Sequence, residues 1–174
     1  MPDINNILRL LDREIWLVTA AHQEHRGGLI ATFVNQASIV PEAPRMLVGI
    51  AKQHRTWGLI EASRAFTLQL LDESHLDWVW RFGLASGHGG DKFVGMPALN
   101  PVASLECRVE TSLDTGDRTI YVAEVTSGLL IKDTPALTMK RLLQLAPPER
   151  LQELRAGMMR DAAVDAAAIA AWRK

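Results

Sequence analysis

The sequence predicts a mainly β protein with flanking helices, in which about six or seven antiparallel strands curl into a small barrel and a helical C-terminal extension follows. Three observations carry this expectation. Short, apolar, β-prone runs succeed one another at close spacing, broken by Gly, Pro and Asp, without the strand–long helix alternation of a parallel sheet. Leu105, Cys107 and Val109 alternate with Glu106, Arg108 and Glu110, the period of a half-buried strand. From Pro148 the spacing becomes helical and ends rich in alanine. Barrel closure is expected because it leaves no bare strand edges.

In chain order, Ile4, Ile7, Leu8 and Leu11 give one apolar face of a short helix with Asp3 as its cap. Strands are expected over 15–20 and 29–35, with 22–28 and its Gly27-Gly28 pair as the hairpin turn. After the breaks at Pro41 and Pro44 comes a third strand over 46–51. A short helix over 57–62 takes Thr56 as N-cap, and a fourth strand covers 65–71. Ser74 is placed to cap a helix whose stripe is Leu76, Val79, Trp80, Gly83 and Leu84. Residues 86–91 are too rich in glycine for regular structure. Asp114-Thr115-Gly116-Asp117 is a turn, from which 119–125 pairs back on the strand before it. In the tail, Pro148 starts a helix with Leu151, Leu154 and Met158 on one face, and Asp161 caps a final helix ending at Trp172. The expected division is a barrel domain over 1–133 and an extension over 134–174, packed on the barrel or on a partner subunit.

Composition bounds the function. The 174 residues suit a single domain with an ordinary apolar share of 48%. The net charge of −1 provides no field to attract a polyanion, so no nucleic acid is expected. No run approaches the ~18 apolar residues of a membrane span, and the start lacks the pattern of a signal peptide. With Cys107 as the only cysteine, a reducing, cytoplasmic setting is expected. Cys107 reads as a buried thiol, and His22 with His25 as a solvated hairpin tip with no third metal ligand. Phosphate-binding glycine loops and nucleophile elbows are missing. Trp78 and Trp80 fall on different faces of one helix, so one of them is free to meet a partner chain or solvent.

Two stretches resist a purely structural reading. Thr32, Phe33, Val34, Asn35, Gln36, Ala37 and Ser38 form a strand that turns polar halfway. Lys52, Gln53, His54, Arg55 and Thr56 gather cations, an imidazole and a hydroxyl where a helix begins. Backbone N–H groups without intrahelical partners make that corner a candidate anion pocket, suited to a phosphate monoester.

These segments, taken together with 16–20, 46–52, Asp91-Lys92-Phe93 and 105–109, resemble the flavin reductase-like, FMN-binding split-barrel family. They are especially similar to the flavin reductase-like module at the C-terminal end of cyanobacterial diflavin flavoproteins. The resemblance covers roughly residues 10–132. It implies a homodimer of split barrels holding FMN near the subunit interface. Thr32 to Ser38 would line the isoalloxazine and ribityl chain, largely through backbone groups. Lys52, His54, Arg55 and Thr56 would take the phosphate, and Asp91, Lys92 and Phe93 would approach the flavin from the other side. It further implies hydride transfer from NADH or NADPH to flavin N5, with no protein acid or base required, and a monooxygenase or another electron acceptor as protein partner. His88, in the glycine-rich loop, is a candidate contact for the nicotinamide or a second substrate. The sequence departs from the family in its charged extension over 134–174 and in the amide-rich Asn35-Gln36 pair. Both departures leave room for a different activity, a tightly held FMN that passes electrons to a protein without pyridine-nucleotide turnover. A split barrel that has lost its cofactor is the third alternative.

Overall fold

The computed structural model describes residues 4–84 and 89–174. In chain order the elements are α1 (Ile4–Leu8), β1 (Trp16–His22), β2 (His25–Ala31), β3 (Val34–Gln36), β4 (Arg45–Ala51), α2 (Arg55–Ser63), β5 (Ala65–Leu70), a 3-10 turn (Glu73–His75), α3 (Leu76–Gly83), β6 (Ala103–Asp114), β7 (Arg118–Leu130), α4 (Met139–Leu145) and α5 (Pro148–Trp172).

The seven strands form one sheet in the order β2-β1-β5-β6-β7-β4-β3, antiparallel throughout. Its two edge strands, β2 and β3, are consecutive in sequence and joined only by Thr32 and Phe33. So short a link brings the sheet's ends together without pairing them. The result is a curled barrel that stays split at the polar segment, in agreement with the expected fold.

Side chains on the concave face, among them Val18, Val48, Ile50, Phe66, Leu68 and Tyr121, fill the barrel. A second core lies outside it, where Ile15, Leu17 and Leu71 meet Trp78, Val79 and Phe82 of α3 and Leu137 and Leu142 around α4. Both faces of β1 are therefore buried, which explains its nearly continuous apolar run.

Several boundaries differ from expectation for identifiable reasons. The β1–β2 turn is only Gln23-Glu24, with Gln23 at φ 53°, and Gly27-Gly28 lie inside β2. Their lack of side chains serves packing, because successive residues face opposite sides of a strand. A Cβ on Gly27 would come within 2.9 Å of Leu59 on α2, and one on Gly28 within 2.9 Å of the Phe82 ring on α3. Phe82 is buried between Trp78 and Phe93, with ring centroids 5.4 and 4.8 Å away, and has nowhere to retreat. Gly28→Ala should therefore destabilise the fold by about 1–3 kcal/mol. A lowered urea midpoint at unchanged m-value is the expected readout.

The expected 29–35 strand breaks at Thr32-Phe33, where the chain crosses from one sheet edge to the other. The helix after β4 begins at Arg55, with His54 as N-cap and no side-chain cap bond. Thr56 is buried inside its first turn instead of capping it. Asp72, not Ser74, caps the 3-10 turn ahead of α3 and accepts from the Ser74 N–H at 2.9 Å. The buried face of α3 is Trp78, Val79 and Phe82, leaving Trp80 half-buried. The tail is one continuous helix through Asp161. The α1 face buries nothing, with Ile7 58% exposed, and Asp3 lies outside the described residues. No helix among the described residues is long and apolar enough to cross a membrane.

Candidate functional site

The first stretch is laid along β4, whose end leads into the second: Phe33 bonds to β4 at Gly49, three residues before Lys52, while Asn35 to Ala37 run the other way beside Leu47 to Arg45. At the first, Val34 of β3 points into the barrel, while Asn35 and Gln36 are exposed on the last strand of the sheet. Along its free edge β3 presents backbone N–H and C=O groups that no strand pairs. Ala37 N–H returns to the Arg45 carbonyl at 2.8 Å, the Gln36 amide donates to the Ser38 carbonyl at 2.6 Å, and Ser38 Oγ accepts from Val40 N–H at 3.1 Å. Thr32 is half-buried. Phe33 is 45% exposed, with the guanidinium carbons of Arg13 and Arg118 at 5.0 and 4.9 Å from its ring centroid.

At the second stretch, Gly49 donates to the Phe33 carbonyl at 2.9 Å, and Lys52 N–H to the Asp117 carbonyl at 3.0 Å. The β4 exit is thus fixed against both the link and the β6–β7 turn. Lys52 Nζ does not point freely into a pocket, since it sits 2.6 Å from Asp114 Oδ1. Arg55 lies beside the β1–β2 hairpin, its Nη2 3.4 Å from His25 Nδ1. Burial holds the His54 imidazole below its ordinary value. Asp161 and Asp165 oppose that, and Lys92 and Arg118 reinforce it. At neutral pH His54 therefore offers hydrogen bonds more than charge.

Asp91, Lys92 and Phe93 approach from the hairpin side. Asp91 Oδ2 accepts from Arg26 at 2.8 Å, and its other oxygen from Phe93 N–H at 2.9 Å. The Arg26 hydrogen bond and the Phe93 N–H hold the Asp91 carboxyl below the usual range. Arg26 also covers the Phe93 ring at 4.7 Å. Lys92 is buried and donates to the Phe82 carbonyl at 3.1 Å, with no carboxylate in ion-pair reach among the described residues. Burial, helped by Arg81, brings its ammonium down to about 8. His88 lies outside the described residues.

Sequence reasoning missed three residues here. Arg118 reads as an ordinary post-turn residue, yet it pairs with Asp117 at 2.6 Å and with Asp165 of α5 at 2.7 Å while flanking Phe33. Arg26 and Asp165 carry no local signal either, because their partners are remote in sequence. Cys107 is buried, and burial pushes its thiol up to about 12, which leaves it unreactive.

The residues fit a flavin mononucleotide. A helix start without a side-chain cap, next to Arg55 and Lys52, offers donors to a phosphate. The unpaired edge of β3 offers amides to a planar ring. Three clefts border the region. One of about 890 Å³ contains Gln53 and His54. A larger one, about 1020 Å³, lies over the outer faces of β1, β5 and β6 and includes Phe93 alone of the expected site residues. A third, of about 560 Å³, lies against Gln36, Ala37 and Ser38. The expected residues are thus divided among the clefts, and size does not locate the flavin.

Residues 8–143 match the family model described as flavin reductase like domain. The putative diflavin flavoprotein A 3 of Synechocystis sp. is 33% identical over 128 residues, which is 67% of this chain and 21% of that protein. The chain thus spans about a fifth of the length of that curated relative. The ferric-chelate reductase (NAD(P)H) of Archaeoglobus fulgidus is 26% identical over 71% of this chain and 79% of its own. Among solved structures, the styrene monooxygenase flavin reductase of Pseudomonas putida S12 superposes with a TM-score of 0.67, covering 78% of this chain and 91% of that one at 20% identity, a likeness of fold.

Proposed function

Because the chain belongs to the flavin reductase like domain family, we propose that it binds FMN at the split of its barrel and reduces it with NADH or NADPH. The observation that carries this reading is an uncapped helix start, bordered by Arg55, at the exit of β4, the same strand on which β3 is paired with its other edge left open. Arg55, the first N–H groups of α2 and, in competition with Asp114, Lys52 would hold the phosphate. Backbone groups from Thr32 to Ser38 would orient the ring, with Phe33 held between two guanidinium groups as an adjacent wall. Bound flavin supplies the hydride-accepting atom, and the chain supplies position and charge. Lys92, a buried cation without a carboxylate partner among the described residues, would favour negative charge arriving nearby. The remaining features of the reading are a homodimer and a monooxygenase or similar acceptor for the reduced flavin.

A specific observation supports a second reading. α5 lies beyond the matched residues and crosses the site's border through Arg118–Asp165. A covered flavin would suit a tightly bound electron-transfer module without its own nucleotide turnover. Purified protein reconstituted with FMN separates the two readings. Bleaching of the flavin absorbance on adding NADH or NADPH anaerobically, without a partner, is expected from the reductase. An FMN-loaded protein inert to both nucleotides would leave the electron-transfer module, and failure to retain or bind FMN at all would overturn both.

A further inference from the structure

We propose that the cleft beneath α5 binds the dinucleotide electron donor, with Trp80 stacking a base and Arg150 and Arg160 taking the diphosphate. This rests on the flavin oxidoreductase reading above and assigns its second ligand to a site built partly by a helix outside the family domain.

α5 is 25 residues long and contains no buried residue, so it is not there to complete a core. It is anchored at both ends. Near its start, the Arg150 guanidinium lies 6.0 Å from the Trp80 ring centroid. Toward its end, Asp165 pairs with Arg118 at 2.7 Å, and Trp172 packs on Gly116, where a Cβ would come within 2.7 Å of the Trp172 Cβ. Between these footholds it roofs a cleft of about 890 Å³ against α3 and the start of α2. That is within the ~300–1,000 Å³ of small-molecule sites.

The lining sorts into three chemistries. Trp80 offers an aromatic face and Arg160 a guanidinium, joined by Arg150, which a ligand would draw from Glu153 at 2.7 Å; Arg81 is held by the Lys92 and Val94 carbonyls. Asp77, Glu153 and Asp161 offer carboxylates. A dinucleotide has the matching three parts: planar bases that stack on indole and guanidinium, a diphosphate that guanidinium groups grip bidentately, and ribose hydroxyls that donate to carboxylates. A lone phosphate has no use for the indole or the acids. Arg160 is exposed and has no ion pair among the described residues, which leaves its fork available. The cleft wall includes Gln53 and His54, the residues immediately before α2. A ligand there lies against the same turn as the proposed FMN phosphate, from which its nicotinamide end would extend to the flavin ring for direct hydride transfer.

The test uses the full chain and ADP-ribose, which carries both riboses and the diphosphate but cannot be oxidised or reduced by flavin. Calorimetric titration should give saturable binding to the wild type. Arg160→Glu, which breaks no ion pair or hydrogen bond between α5 and the barrel among the described residues, should weaken that binding at least tenfold and raise KM for NADH or NADPH in parallel. The Kd for FMN should stay unchanged. Trp80→Ala should act in the same direction, with limited proteolysis showing whether α5 stays docked. Absence of saturable ADP-ribose binding by the wild type, or equal affinity in Arg160→Glu, overturns the proposal. Loss of the flavin reading would look different, since FMN would then fail to bind while ADP-ribose still did.

Discussion

Replacing Lys52 and Arg55 together by alanine should weaken FMN binding by about 2–4 kcal/mol, roughly 30- to 1000-fold. A charge-assisted hydrogen bond to phosphate is worth about 1.5–3 kcal/mol, so two independent cations would give more. The structure argues for less than full additivity, because Lys52 Nζ is already 2.6 Å from Asp114 and must be shared with that carboxylate. The larger part of the loss should therefore appear in Arg55→Ala alone. Asp114→Asn should release Lys52 and tighten FMN. Fluorescence titration of FMN into the variants measures all of these effects. An unchanged affinity in the double variant would mean that the phosphate lies elsewhere.

The largest effect on stability is expected at Asp72, at the end of β5. Its side chain is 10% exposed and its carboxylate is a hub, accepting from Ser74 Oγ at 2.5 Å, Ser74 N at 2.9 Å, Lys132 Nζ at 3.1 Å and Thr134 Oγ1 at 3.2 Å. His75 Nδ1 accepts from Asp72 N–H at 3.0 Å, and its Nε2 faces the Asn100 carbonyl at 2.9 Å. The hub thus ties β5, α3, the stretch before β6 and the chain after β7 to one another. Asp72→Ala strands Lys132 and opens the cap, which should cost about 3–5 kcal/mol. For a chain of this size that lowers Tm by roughly 6–20 °C. Burial by itself would raise the Asp72 carboxyl, but the Ser74 hydroxyl, Lys132 and the Ser74 N–H outweigh it and hold it well below the ordinary carboxylate value. A group depressed in the folded state contributes its stability above its unfolded pKa. The wild type should therefore keep this contribution above about pH 4 and lose it progressively below, whereas Asp72→Ala should show a flatter stability profile across that acid range. Urea midpoints measured from pH 7 down to 3 report the difference. Parallel profiles in the two proteins would show that Asp72 is not the linked group.

Much of the fold was legible in the residues, because its signals are local. The alternation through Leu105, Cys107 and Val109 marked β6, the Asp114–Asp117 turn returned the chain into β7, and Pro148 opened α5. The failures share one cause. Gly27-Gly28 has the composition of a turn but serves the close approach of α2 and α3 to an edge strand, which depends on elements far away in sequence. Ser74 looks like a cap, yet Asp72 takes that role because Lys132 and Thr134 also draw its carboxylate there. Asp161 read as the start of a last helix because nothing local shows that α5 runs through it against the barrel.

Residue spacings of two to four were enough to read most strands and helices, the antiparallel class, the polar segment at 32–38 and the basic corner at 52–56. Tertiary structure alone decided which charges would be spent on one another. Lys52 meets Asp114 across 62 positions and Arg26 meets Asp91 across 65, and α5 folds back to place Asp165 on Arg118. Coulomb attraction and burial act through space, so the openness of the site depends on pairings that no local pattern encodes.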